Sequence, residues 1–179
     1  MNTVKFIGMD VHQKTITIAI AEDGSRDAAR VYGNIKNDLS ELDKFCRKMV
    51  STSDQLHFVY EAGPCGYSIY RHLINKGFDC MVAAPSMIPK RSGARVKTDS
   101  RDAISLAQLH RSAELTGVYV PDADDEAMRD LSRAREDAVI AARKAKQQLN
   151  GFLLRNGFVY TGKSKWSKAH FNWISDIAM

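Results

Sequence analysis

The sequence predicts an α/β fold, a mixed sheet with helices on its faces, followed by a long helical region. Three observations carry this prediction. Segments of period-two alternation and of helical periodicity succeed one another in the order β-β-β-α-β-α-β-α. The first three strands follow one another without a helix, which favours an antiparallel meander, whereas the later strands are separated by helices, which favours parallel pairing through crossovers. Beyond Pro121 the alternation stops and a single helical pattern takes over.

The elements are read in chain order. Val4 to Val11 is a strand entering a core, and His12–Lys14 is short enough to be a hairpin connection. Thr15 to Ala21 alternates, with Ile16, Ile18 and Ile20 on one face. After the turn signal Asp23-Gly24-Ser25, Ala28 to Ile35 is a third strand. Asp38 to Val50 is an amphipathic helix with Leu39, Leu42, Phe45 and Met49 on one stripe. Gln55 to Tyr60 is the fourth strand, and Tyr67 to Asn75 a helix stopped by Gly77. Phe78 to Ala84 is the fifth strand, stopped by Pro85. Lys90 to Lys97 is a basic loop, after which Thr98 caps a helix reaching about Leu115. This order of elements is that of RNase H-like folds, an analogy that does not by itself specify chemistry.

From Asp124 to about Asn156 the pattern is one long helix. Met128, Leu131, Arg135, Ala138, Ala142, Ala145, Leu149 and Phe152 recur at alternating spacings of three and four, the seam of a coiled coil or helical hairpin. The expected organisation is a first domain over 1–116, a coiled-coil region over 122–157 and a basic, aromatic tail over 158–179. That tail mixes Lys163, Lys165 and Lys168 with Trp166, Phe171 and Trp173. The two tryptophans suit stacking on bases, but the plainer reading makes them the core of a helix packed on a partner outside this chain.

Composition narrows the function classes. With 179 residues, 44% of them hydrophobic, the chain suffices for one compact domain and a smaller appendage. No apolar stretch reaches the roughly 20 residues needed to span a bilayer, so no membrane partner is expected. Cys46, Cys65 and Cys80 form neither a zinc pattern nor a disulfide framework, which points to a reducing cytoplasm. The net charge of +5 is unevenly placed. Residues 1–84 hold 10 basic and 10 acidic side chains, whereas residues 85–179 hold 16 and 11. From Ala138 to Ser175 there are seven basic residues and no acid. A solvated helix face accounts for such a run as well as a polyanion partner does, and nucleic acid is the simplest such partner.

Four carboxylates stand where chemistry is expected. Asp10 ends the first strand on the face of Phe6 and Gly8, and Glu61 ends the fourth, beside it in an RNase H-like sheet. Asp99 and Asp102 share one face in the first turn of the last helix of the domain. Four acids in one site require a cation or protonation. All-oxygen ligation suits Mg²⁺ or Mn²⁺, and two such ions suit phosphodiester chemistry. Taken singly, Asp99 and Asp102 are better read as serving the helix macrodipole, whereas Asp10 and Glu61 suit strand-end turns as well as they suit a site; the constellation is more specific than its members. His12 is read as a hairpin residue in preference to a contact with metal-bound water or phosphate, and Cys65 as structural. Lys90, Arg91, Arg95, Lys97 and Arg101 crowd the approach to Asp99 and suit phosphate binding. Arg143, Lys144 and Lys146 on the long helix, with the three lysines of the tail, extend that basic surface.

Three segments carry a family resemblance. Ile7-Gly8-Met9-Asp10-Val11-His12, Tyr60-Glu61-Ala62-Gly63-Pro64-Cys65-Gly66 and Lys97-Thr98-Asp99-Ser100-Arg101-Asp102-Ala103 closely resemble the catalytic motifs of the DEDD transposases of the insertion sequence 110 family, which includes the pilin-gene invertases. The tail Tyr160 to His170 looks like the segment that follows the coiled coil in these proteins. The resemblance implies a RuvC-like domain with a metal-dependent site at Asp10, Glu61, Asp99 and Asp102. It also implies recombination of a mobile element's DNA, guided by the element's structured non-coding RNA, in a bacterial or archaeal nucleoid. Family members continue into a C-terminal domain that carries a serine assigned to covalent attack on DNA. The expectation is therefore an N-terminal part, self-associating through the long helix and inactive in strand exchange alone. The alternatives are a stand-alone RuvC-like nuclease and an RNA-binding dimerisation module without catalysis. An actin-like kinase is disfavoured, because His12, Gln13 and Lys14 fill the turn where a phosphate loop needs small residues.

Overall fold

The computed structural model describes residues 4–25, 27–52, 55–89 and 98–177. The chain divides into two compact units, Met1–Val120 and Pro121–Met179.

The first unit is built on strands β1 (Val4–Val11), β2 (Thr15–Glu22), β3 (Arg30–Lys36), β4 (Gln55–Glu61) and β5 (Asp79–Ala83). They form one sheet in the order β3-β2-β1-β4-β5. β1 pairs antiparallel with β2 and parallel with β4, β2 pairs antiparallel with β3, and β4 pairs parallel with β5. An antiparallel meander joined through its first strand to a parallel half is the RNase H-like arrangement expected from the element order. Helix α1 (Leu39–Val50) links β3 to β4, and α2 (Ser68–Asn75) links β4 to β5. After a short 3-10 turn at Pro85–Met87, α3 (Asp99–Arg111) closes the unit.

Alternation divides the sheet into two faces. Ile7, Met9, Ile16, Ile18, Phe58, Tyr60 and Val82 pack in the main core with Leu42, Phe45 and Met49 of α1 and Ile69 and Leu73 of α2. The other face belongs to α3, whose buried stripe is Ala103, Leu106, Ala107 and His110. Ala103 and Ala107 cluster with Ala19 and Ala21 and with the flanking Phe6, while Leu106 packs on Val59 and Ala83. Small residues on helix and sheet let the two backbones approach closely. A Cβ on Gly8 would collide with the Ala103 carbonyl oxygen and the Ala107 amide nitrogen. Arg111 ties the end of α3 to the loop after β2, donating to the carbonyls of Glu22, Ser25 and Asp27 at 3.1–3.2 Å.

Most element boundaries fall within one residue of expectation, and two differ by more. β3 starts at Arg30, not Ala28. α3 ends at Arg111, short of Leu115, because Ala113 takes a left-handed conformation (φ 57°) and breaks the helix. The chain then runs along the edge of β5, where Ala83 and Gly117 form an antiparallel bridge and Val118 donates to the Val82 carbonyl at 2.8 Å. This segment covers part of an edge that would otherwise leave backbone groups unpaired.

The second unit consists of α4 (Ala123–Arg155, 33 residues), a connecting segment and α5 (Lys168–Ser175). Asp122 caps α4 through the Asp125 amide, and Asp124, Asp125 and Glu126 suit its N-terminal dipole. Gly157 (φ 80°) ends the helix, letting the Phe158 amide donate to the Leu153 carbonyl at 2.9 Å. The returning segment and α5 form an aromatic cluster around buried His170. Its ring lies 4.6 Å from Tyr160, 5.0 Å from Trp166 and 5.5 Å from Trp173 between centroids. Trp166 and Trp173 therefore pack on one side within the chain and stay half-exposed on the other. No helix among the described residues is long and apolar enough to cross a membrane.

Candidate metal centre

Register and helix direction bring the acids together. The β1–β4 pairing runs from Val4↔Gln55 to Met9↔Tyr60, so the next step along both strands sets Asp10 level with Glu61. The two alternate onto the α3 face, Asp10 in phase with Phe6 and Gly8, and Glu61 in phase with His57 and Val59. His57 stacks on Phe6 at 5.3 Å, which confirms the shared face. α3 crosses this face with His110 edge-on to Phe6 and Ala103 and Ala107 over Gly8. Its first turn, with Asp99 and Asp102, consequently arrives at the Asp10 end of β1. Thr98 fixes that turn by accepting from the Arg101 amide.

At the centre, His12 Nε2 lies 3.1 Å from Asp10 Oδ2 and 3.6 Å from Asp99 Oδ1. One ligand atom from each of Asp10, His12 and Asp99 falls within 4.8 Å of the others, a grouping able to hold a metal ion. Burial pushes the Asp10 carboxyl above its ordinary range, the charge and hydrogen bond of His12 oppose this, and Asp99 and Asp102 raise it further. Asp102 is thus within electrostatic reach of Asp10. Glu61 stands exposed one strand away and is not in the tight three-residue group. The loop after it is held by the Tyr60 hydroxyl, which donates to the Gly66 carbonyl at 3.0 Å.

His12 is the residue that sequence reading undervalued. Its backbone does close the hairpin, donating to the Thr15 carbonyl at 2.9 Å, but its imidazole joins the acids. The available signal was its place two residues after Asp10, just past the end of β1. The donor set of hard carboxylate oxygens and one imidazole fits a divalent first-row or alkaline-earth ion. Asp10 is raised chiefly by burial and to a lesser degree by Asp99 and Asp102, and a cation placed among these carboxylates would offset both effects.

Residues 7–157 match the family model of the IS110 DEDD transposases, described as transposase. The chain belongs to this transposase family. Among relatives, the protein named as transposase y4qE of Sinorhizobium fredii is 43% identical over 171 residues, covering 96% of this chain and 44% of that protein. The transposase for insertion sequence element IS1533 of Leptospira borgpetersenii is 35% identical over 175 residues, covering 96% of this chain and 50% of the relative. The chain thus spans about half the length of these relatives. Among solved structures, Thermus thermophilus RuvC aligns with a TM-score of 0.39 at 9% identity, covering 65% of this chain and 99% of RuvC. The T. thermophilus RuvC complex with a Holliday junction substrate gives 0.38 at 10%, covering 66% and 100%. The strand order, not this distant likeness, defines the fold.

The eleven basic residues expected to bind nucleic acid fall into three groups. Lys90, Arg91, Arg95 and Lys97 lie outside the described residues. Arg101 is exposed on the first turn of α3, beside the acids. In the second unit Arg143, Lys144 and Lys146 are exposed on α4, and Lys163, Lys165 and Lys168 are exposed around the start of α5. Cys46, Cys65 and Cys80 are free thiols, and burial pushes the Cys46 thiol up to about 11. Cys65 donates weakly to the Val11 carbonyl at 3.7 Å, in keeping with a structural role beside the site.

Proposed function

We propose that this chain is the N-terminal part of a metal-dependent DNA transposase, with Asp10, Glu61, Asp99 and Asp102 as its catalytic acids. The observation that carries the reading is the convergence of Asp10 and Asp99 on one point at the end of β1. Asp102 is close enough to act on the charge of Asp10. Glu61 is level with Asp10 on the next strand. In this reading the four carboxylates hold Mg²⁺ or Mn²⁺, and His12 orients Asp10 and Asp99. The bound ion supplies activation of an attacking oxygen and stabilisation of a leaving one. Arg101 and the basic stretch 90–97 hold phosphates near the acids.

The substrate is the DNA of a mobile element, and the guide is that element's structured non-coding RNA. Support comes from family membership and from the seven basic residues without an acid between Ala138 and Ser175. Alone, the 179 residues bind nucleic acid without efficient strand exchange, because the family resemblance assigns the attacking serine to a further domain. Self-association uses α4, whose apolar residues are largely exposed within the single chain.

The test mixes the chain with the element's RNA and DNA ends across a salt series. Affinity falls steeply with salt, and replacing Lys163, Lys165 and Lys168 together by Ala flattens the log–log slope by about 2–3. Undetectable or salt-insensitive binding overturns the nucleic-acid reading. Efficient metal-dependent cleavage, abolished by Asp10→Ala, replaces this reading with a stand-alone nuclease.

A further inference from the structure

The second unit contains an open cleft of about 420 Å³, lined by residues of α4 and by Trp166. Its exposed lining is apolar, made by Val139, Ala142, the Trp166 indole and the aliphatic stems of Arg143 and Lys146. The Lys146 ammonium already lies over the Trp166 ring, 5.6 Å from its centroid.

Trp166 is held in place at a conformational cost. Its φ of 66° is in the left-handed region, which a bulky residue rarely adopts. Its backbone amide donates to His170 Nδ1 at 3.1 Å, and its ring meets the His170 ring edge-on at 5.0 Å. His170 is itself 1% exposed. A second cleft of about 170 Å³ shares Asn150 with the first and is lined by Lys165 and His170. The buried Nε2 of His170 has no hydrogen-bond partner among the described residues. An indole fixed by a buried side chain and a left-handed backbone at the same residue mark a preorganised recess rather than a casual surface fold.

We infer that this recess takes an unpaired nucleotide of a nucleic-acid strand. The base stacks on Trp166, and the cationic ends of Lys146 and Arg143 hold the flanking phosphates. The occupant is chosen on charge. The stretch from Ala138 to Ser175 carries cations and no acid, so a polyanion suits it and an acidic-faced wall is lacking. The planar indole selects a base rather than a bare phosphate, because stacking is tolerant of sequence and needs a π-face. Duplex, with its bases stacked internally, offers the recess only phosphates. The inference rests on the nucleic-acid reading above and is independent of the metal centre.

The test titrates the 179-residue chain with a mixed-sequence single-stranded oligonucleotide and with the matching duplex, following tryptophan fluorescence and anisotropy. Wild type quenches on binding the single strand and not on binding the duplex. Trp166→Leu weakens single-strand affinity roughly tenfold and leaves duplex affinity unchanged, while Trp166→Phe retains most of the affinity. Lys146→Ala, which leaves the aromatic cluster intact, weakens single-strand binding and lowers its salt slope by about one. Equal single-strand affinity in wild type, Lys146→Ala and a Trp166→Leu protein with native circular dichroism overturns the recess while leaving general nucleic-acid binding standing. Absence of any binding by wild type overturns both.

Discussion

Gly8 lies directly beneath Ala107, so close that a single added carbon would run into the Ala107 amide and the Ala103 carbonyl. This contact sets the height of α3 over the sheet, and with it the position of Asp99 and Asp102 relative to Asp10. The obstacles are backbone atoms, which cannot rotate away. Gly8→Ala should therefore cost about 1–3 kcal/mol of stability in urea unfolding and displace the first turn of α3. Gly63→Ala is the control, since the nearest atom to its added Cβ is 3.9 Å away; it should change stability by less than about 0.5 kcal/mol. Equal effects would mean that α3 is not seated on Gly8.

His110 gives the fold a defined response to acid. It is 9% exposed and edge-on to Phe6, and burial pushes its imidazole below the ordinary value of 6.5, with Asp79 opposing and His57 adding to the fall. The folded state therefore prefers neutral His110. Its contribution is complete above pH 6.5 and is lost as the pH falls through the lowered folded value. His110→Leu should flatten the stability profile between about pH 7 and pH 5, measured by denaturant midpoints. A slope unchanged from wild type would place the titrating group elsewhere.

The charge crowding at Asp10 has the opposite sign. Burial first, then Asp99 and Asp102, raise its carboxyl, so folding favours its protonated form. Its contribution is greatest at low pH and is lost as the pH rises through the raised folded value. At neutral pH in chelator, Asp10→Asn should melt no lower than wild type, and divalent metal should reverse the order. A marked loss of melting temperature in chelator would make Asp10 a structural residue.

α4 leaves Met128 67% and Leu131 65% exposed within the single chain. Burying that surface in a second copy is the simplest way to remove it from water. Leu131→Asp combined with Leu149→Asp should lower the mass seen in sedimentation without loss of helicity. An unchanged mass would assign the seam another role.

The sheet and its acids were legible because period-two alternation fixes faces. Asp10 travels with Phe6 and Gly8, and a capped helix beginning Thr98-Asp99 places two acids on one turn. What escaped depended on irregular backbone. The break of α3 at Ala113 uses a left-handed alanine, which no turn residue announces. His12 joins the acids only because the hairpin and the arriving helix both approach it, a tertiary circumstance. In the tail, the fold-back that Gly157 permits brings Trp166, His170 and Trp173 onto one another, a tertiary arrangement that spacing along the chain does not show.

Calorimetric titration of Mn²⁺ into the metal-free chain tests the central assignment most directly. Wild type should give a saturable isotherm at millimolar or lower metal, weakened by Asp99→Asn and Glu61→Gln and lost in Asp10→Asn, with native circular dichroism in all four proteins. Indistinguishable isotherms for wild type and Asp10→Asn would contradict a metal centre at the end of β1.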